Sequence, residues 1–210
     1  MFRLAREMVE KGEQALTTTT TRIFAAQIAL APAHVAATDA TFESVWAALD
    51  THRHLLVIGA TDAATGRAGG VPLDMFGRLR AWCPRVCLLN EADGSRMRPF
   101  KAPAEHEPAI PVETTVVIPV VGADVFGKTL DAEHVHRPEL VSALSGAPLG
   151  KPVTPEIVSR AWPTRKADAR TFRQAPALET AERLLREPAI ESVVLATVRG
   201  NEPVLEVCTR

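Results

Sequence analysis

Short, continuous apolar runs alternate along this chain with stretches whose apolar residues recur at helical spacing, and few folds accommodate that order. His54 to Ala60 (H-L-L-V-I-G-A) and Val86 to Asn90 have no polar face, as strands buried on both sides of a parallel sheet read. Met1, Leu4, Ala5, Met8 and Val9 form the stripe of an amphipathic helix that Gly12 terminates. Phe42, Val45, Trp46 and Leu49 form a second stripe, with Thr41 or Asp39 as its cap. Leu73–Trp82 reads as a third helix, after a loop that Gly66, Gly69, Gly70 and Pro72 predict to be mobile. A strand is expected over Gln14–Thr18. Thr114–Val121 (T-T-V-V-I-P-V-V) is the most strand-like segment of all, with Pro119 at an edge or near the strand end. Helices over Pro138–Leu144, Thr154–Trp162 and around Leu178–Arg186, then strands Ser192–Thr197 and Pro203–Val207, complete the pattern. Strands alternating with helices predict a mostly parallel, doubly wound α/β sheet covered on both faces. The 210 residues are most economically one domain spanning 1–210.

Composition narrows the function classes. The chain is 46% hydrophobic with a formal net charge of -1, which indicates neither disorder nor a broad nucleic-acid footprint. Cys83, Cys87 and Cys208 are an odd, scattered set, with no disulfide framework and no C-x-x-C knuckle. No apolar run reaches the ~18 residues of a membrane span. A cytoplasmic protein with no membrane partner is expected.

Chemistry concentrates between Val86 and Pro111. Glu91 and Asp93 stand where the apolar run would leave a sheet, and ligands of open α/β folds bind outside the carboxyl ends of strands. Arg96, Arg98 and Lys101 follow, then Glu105, His106 and Glu107, punctuated by prolines. A polar loop after a buried strand is the plainer reading. Thr19, Thr20 and Arg22 follow the Gln14–Thr18 strand and could face phosphate or cofactor, although threonines at a strand end are also ordinary β chemistry. Asp124 and Lys128, in G-A-D-V-F-G-K-T, occupy the loop after the strongest strand and form a second wall of the cleft. His134 and His136 would share a face on an extended segment. With His106 and a carboxylate they could satisfy zinc, though such pairs are frequent without metal.

The ordered set T-T-T-T-x-I, E-A-D-G-S, K-A-P-A-E-H-E-P, I-P-x-x-T-T-V-V-I-P-V-V-G and E-H-V-H-R-P-E resembles the YqeC family, from Met1 to about Val207. The family is described as accessory to selenium-dependent molybdenum hydroxylases and looks like P-loop nucleotide-binding proteins. The resemblance implies a maturation role, with the hydroxylase or its cofactor machinery as partner. It also implies Glu91 and Asp93 as Mg²⁺-linked carboxylates and Lys101 as a phosphate-facing cation. Glu105, Glu107 and Arg137 would meet partner or substrate. Three classes compete: an active NTPase, a non-catalytic scaffold presenting the Glu105–Glu107 and His134–Arg137 blocks, and a metal enzyme using the histidines.

Two departures from the family pattern concern nucleotide. Relatives open with a strand and a G-x-x-G-K-T turn before the first helix, whereas Met1 aligns just after that turn. Gly66-Arg67-Ala68-Gly69-Gly70 offers no lysine or hydroxyl in its place. Arg173 and Pro176, in Thr171–Pro176, stand where a base-reading asparagine and aspartate are expected. Mg²⁺ with ATP or GTP is therefore expected only with an upstream phosphate loop. A sheet without its first strand should expose a slot and favour self-association. The candidate residues are expected to line one rim: Thr19, Thr20, Glu91, Asp93, Lys101, His106, Asp124, His134 and Arg137. The 210-residue polypeptide should show no micromolar affinity when titrated calorimetrically with Mg·ATP or Mg·GTP; micromolar binding of either would overturn this reading.

Overall fold

The computed structural model describes residues 1–104, 106–116, 118, 120–161, 192–196 and 204–209. The chain divides into two compact units, one of Met1–Gly94 with Ala104–Thr114, the other of Ser95–Pro103 with Thr115–Arg210.

The first unit is built on a parallel sheet. Helix α1 (Phe2–Glu10) runs into strand β1 (Ala15–Thr19), followed by the short β2 (Ile23–Phe24) and β3 (His34–Ala36). Helix α2 (Phe42–His52) leads to β4 (His54–Ile58), the short β5 (Thr61–Asp62) and β6 (Arg67–Ala68), α3 (Leu73–Trp82) and β7 (Cys87–Glu91). The four longer-range strands lie side by side in the order β3-β4-β1-β7, all parallel. Strand β1 is bonded on both sides, so no gap opens among these four, and β7 is an edge among the described residues.

Helices cover both faces because the strand residues alternate. Leu55 and Val57 of β4 turn with Leu16 toward Val45 and Leu49 of α2 and Met75 and Leu79 of α3. Leu56 and Ile58 turn the other way, into a cluster with Ile23, Ala68 and Phe2 of α1. This is the doubly wound α/β arrangement that the alternating sequence predicts. Thr41 caps α2 by accepting from the Ser44 N–H at 3.1 Å, while the Ser44 hydroxyl oxygen accepts from the Thr41 N–H at 2.9 Å; the cap is Thr41, not Asp39. Trp46 Nε1 donates to the Trp82 carbonyl at 3.2 Å and ties α2 to α3.

The all-buried β1 carries three threonines, and each hydroxyl is satisfied inside the sheet. Thr17 Oγ1 lies 2.9 Å from Nε2 of buried His54, Thr18 Oγ1 donates to the Val57 carbonyl at 2.9 Å, and Thr19 Oγ1 reaches the Glu91 carbonyl at 3.1 Å. Burial holds His54 below the usual imidazole pKa, so it serves as a neutral core group.

The second unit has its own core of Phe100, Ala102, Val125, Leu130, Val135, Val141, Val153 and Val158. Strand β8 (Phe100–Lys101) pairs in parallel with β9 (Val135–His136), and α4 (Pro138–Ser145) and α5 (Pro155–Ala161) follow. Strands β10 (Ser192–Ala196) and β11 (Val204–Thr209) form an antiparallel pair.

Two expectations are corrected. Among the described residues of Thr114–Val121 there is no strand; Val116, Ile118 and Val120 are exposed. Strand propensity is expressed only where a neighbouring strand completes the ladder, and no described strand pairs with this run. The glycine loop is not a loose connector. Residues 61–68 form the β5–β6 hairpin, and Gly69–Gly70 is clamped over the sheet by Gly59 N–H to Gly69 O at 2.9 Å and Val71 N–H to Thr19 O at 2.7 Å. The predicted helix around Leu178–Arg186 and the segment Thr171–Pro176 lie outside the described residues.

The clamp explains why glycine is needed. A Cβ on Gly70 would lie 2.5 Å from the Thr20 carbonyl carbon, and one on Gly59 would lie 2.4 Å from Gly70 O, both rigid backbone. A Cβ on Gly69 would come no closer than 3.3 Å to the Ala60 oxygen. Gly70→Ala and Gly59→Ala should each cost about 1–3 kcal/mol in denaturant unfolding, as overpacking does, and Gly69→Ala less. Equal costs for all three would refute the clamp.

Candidate functional site

The carboxyl ends of β1 and β7 lie side by side, paired through Thr19↔Glu91. Thr20 N–H continues the ladder to the Glu91 carbonyl at 3.1 Å. The Thr20 hydroxyl donates to Ala109 O at 2.9 Å and accepts from Asn90 Nδ2 at 3.2 Å. The other end of that amide, Asn90 Oδ1, is buried and finds no hydrogen-bond partner among the described residues. Such an orphan acceptor costs about 1–3 kcal/mol, a cost that recurs at sites built for something else.

Glu91 stands next to it, half-buried. Burial pushes its carboxyl above the usual carboxylate range. Asn90 and Glu91 are successive residues of β7, so their side chains leave opposite faces of the sheet, and the Asn90 amide lies with the Thr20 hydroxyl.

The remaining first-unit candidates are more peripheral. Thr19 is fully buried and spends its hydroxyl on backbone. Arg22 is exposed and acts on Asp62. Asp93 is half-buried just beyond β7, and His106 is exposed, with Nε2 3.7 Å from Glu107 Oε1. Glu105 lies outside the described residues.

The second unit gathers another set. The register β8·β9 sets Lys101 beside His136, with Phe100 and Val135 buried before them. Arg137 comes next, and its Nη1 donates to Ala102 O at 3.3 Å, beside Lys101. Two sequence blocks more than thirty residues apart, K-A-P-A and H-V-H-R-P-E, thus meet as paired strands. Arg137 has φ 61° and ψ 59°, left-handed backbone that costs a non-glycine residue about 1–2 kcal/mol. His134 lies in the turn just before β9, with its Nδ1 tied to Asp131 Oδ1 at 2.9 Å. Asp124 and Lys128 are exposed on the loop before β9. Among the described residues, no group of three or more His, Cys, Asp or Glu is placed to hold a metal ion. His106 belongs to the first unit and His134 and His136 to the second.

Sequence reasoning named Glu91, Lys101 and Arg137 as candidates and passed over Asn90, because an asparagine at the end of an apolar run carries no signal until its buried amide oxygen is seen without a partner. No helix among the described residues is long and apolar enough to cross a membrane.

Comparison with known proteins gives two matches. A family model described as "YqeC protein" matches residues 1–139. The "Uncharacterized protein YqeC" of Escherichia coli (strain K12) is 52% identical over 50 residues, which cover 24% of this chain and 20% of that protein. The aligned stretch therefore spans about a fifth of the relative's length. No solved structure matches.

Glu91 generates a signed prediction. Its pKa is raised in the folded state, so its contribution to stability is fully present below the unfolded value of 4.5 and is lost as pH rises through the folded value. At neutral pH the ionised carboxylate is a cost. Glu91→Gln, which keeps the shape and drops the charge, should raise the melting temperature by a few degrees at pH 7 and leave it unchanged near pH 4. A variant less stable than the parent at pH 7 would show that Glu91 is held by a stabilising partner instead.

Proposed function

This chain belongs to the YqeC family, and on that premise we propose that it is an accessory factor in the maturation of selenium-dependent molybdenum hydroxylases, working through the carboxyl edge of its parallel sheet. The observation that carries the reading is Glu91: a half-buried carboxyl, raised in pKa by burial, at the end of β7 and paired with Thr19 of β1. A fold that keeps a destabilised carboxylate at its ligand-binding edge trades stability for function.

In this reading the Glu91 carboxylate would hold Mg²⁺ at the sheet's carboxyl edge, and the ion would neutralise phosphate charge there. The chain's own part is positional. The β1·β7 ladder fixes Glu91 beside Thr20, and the Ala109 carbonyl holds the Thr20 hydroxyl in place. The partner in this reading is the hydroxylase or the machinery that loads its cofactor.

Glu91→Gln also tests the role, since it should not unfold the protein. In cells whose own copy of the gene is deleted, supplying the Glu91→Gln chain should leave the amount of hydroxylase polypeptide unchanged and lower its activity at least tenfold. Full activity with the variant would refute the assignment of the site; full activity with no copy at all would refute the role.

A further inference from the structure

The run Thr115–Val121 of the second unit has the side chains of a strand and no described strand beside it. We propose that it is a dimer contact, pairing antiparallel with the same run of a second copy about a two-fold axis at Ile118. Val116, Ile118 and Val120 are 62%, 55% and 69% exposed, whereas Val121 is buried in the core of its unit. Single exposed apolar residues are ordinary, but three at the two-residue period of a strand make a continuous apolar stripe. Among the described residues, the backbone groups of Thr115, Val116, Ile118 and Val120 make no hydrogen bond within the chain. Unpaired donors and acceptors beside β-branched side chains are a template for another strand.

A second copy fits better than a foreign strand, because the run is complementary to itself in one register. Pairing about Ile118 sets Val116 opposite the partner's Val120, Ile118 opposite the partner's Ile118 and Val120 opposite the partner's Val116, so the exposed set meets itself. Moving the axis to Val117 sets Val120 opposite Thr114 and loses the match. No charged residue lies between Glu113 and Asp124, so like charges do not meet across the axis. Pro119 agrees with the same register. When Val116, Ile118 and Val120 exchange the ladder hydrogen bonds, residue 119 turns its nitrogen away from the partner, where the missing N–H breaks no bond. The missing donor then blunts the outer edge, so the assembly closes at two copies. A stable interface takes about 20–30 residues a side. The run has seven, so the dimer is weak and its population follows protomer concentration. Neither Glu91 nor the hydroxylase reading enters this contact.

Sedimentation velocity on the full chain, from about 10 µM to about 1 mM, should show a reversible monomer–dimer equilibrium and no larger species. Ile118→Lys places two ammonium groups opposite each other on the axis and should leave a monomer at every concentration. Single cysteines under mild oxidation read the register, with disulfides mapped by peptide mass spectrometry to separate them from those of Cys83, Cys87 and Cys208. Ile118→Cys should cross-link to itself, since hydrogen-bonded antiparallel partners have Cα atoms about 5.5 Å apart, within the span of a disulfide. Val116→Cys and Val120→Cys chains should cross-link when mixed and not when each is alone. A monomer at the highest concentration, larger oligomers, an unaffected Ile118→Lys dimer or self-linking of Val116→Cys would each overturn the proposal. Melting curves confirm folding of each variant, and if the lysine variant fails to fold the cross-links decide the outcome.

Discussion

Three threonine hydroxyls buried in the middle strand set the register on which the first unit depends. A parallel sheet buried on both faces gains its cohesion from apolar contact, which is indifferent to small slips. Thr17, Thr18 and Thr19 are not indifferent: each reaches a specific atom on β4 or β7. A slip by one residue would strand these buried hydroxyls, at about 1–3 kcal/mol apiece, and would turn Leu55 and Val57 away from α2 and α3. The polar content of β1 is therefore a registration device, and it is what brings Thr20 and Glu91 to one level of the sheet.

That level is also where the fold tolerates costs. Asn90 Oδ1 is buried without a partner and Glu91 is held above its ordinary pKa, both next to a backbone crossing so close that glycine is required at 59 and 70. The crossing closes the β1–β4 side of the edge, since Val71 takes the Thr19 carbonyl. The β1–β7 side keeps its chemically capable groups. Stability concentrated around the threonines and helices thus supports a destabilised edge, the usual division between scaffold and site.

The second unit follows a different logic. Strands β8 and β9 are only two residues long, and cohesion around them comes from the apolar cluster of Phe100, Val135 and Val141 together with backbone ties such as Gly122 to Pro99 and Val153 to Lys128. Within it, the alternation of one buried and one polar residue on each strand is enough to present Lys101 and His136 together.

Periodicity in the sequence by itself determined the long elements. The stripes at Met1–Val9, Phe42–Leu49 and Leu73–Trp82 and the apolar runs at His54 and Val86 correspond to α1, α2, α3, β4 and β7, because each pattern encodes which faces must leave water. It also marked Glu91 as a candidate, since a carboxylate ending an apolar run stands at the carboxyl end of a strand. Tertiary structure alone decided the rest. Thr114–Val121 has the highest strand propensity in the chain and yet forms no ladder among its described residues, since a strand needs a partner edge that no local sequence supplies. Gly70 reads as loop and is part of a clamp, because only the close approach of Thr20 gives its missing side chain a purpose. Likewise the juxtaposition of Lys101 with His136 and Arg137 was invisible in two blocks set more than thirty residues apart: pairing between distant strands depends on cores that form only when the chain has folded.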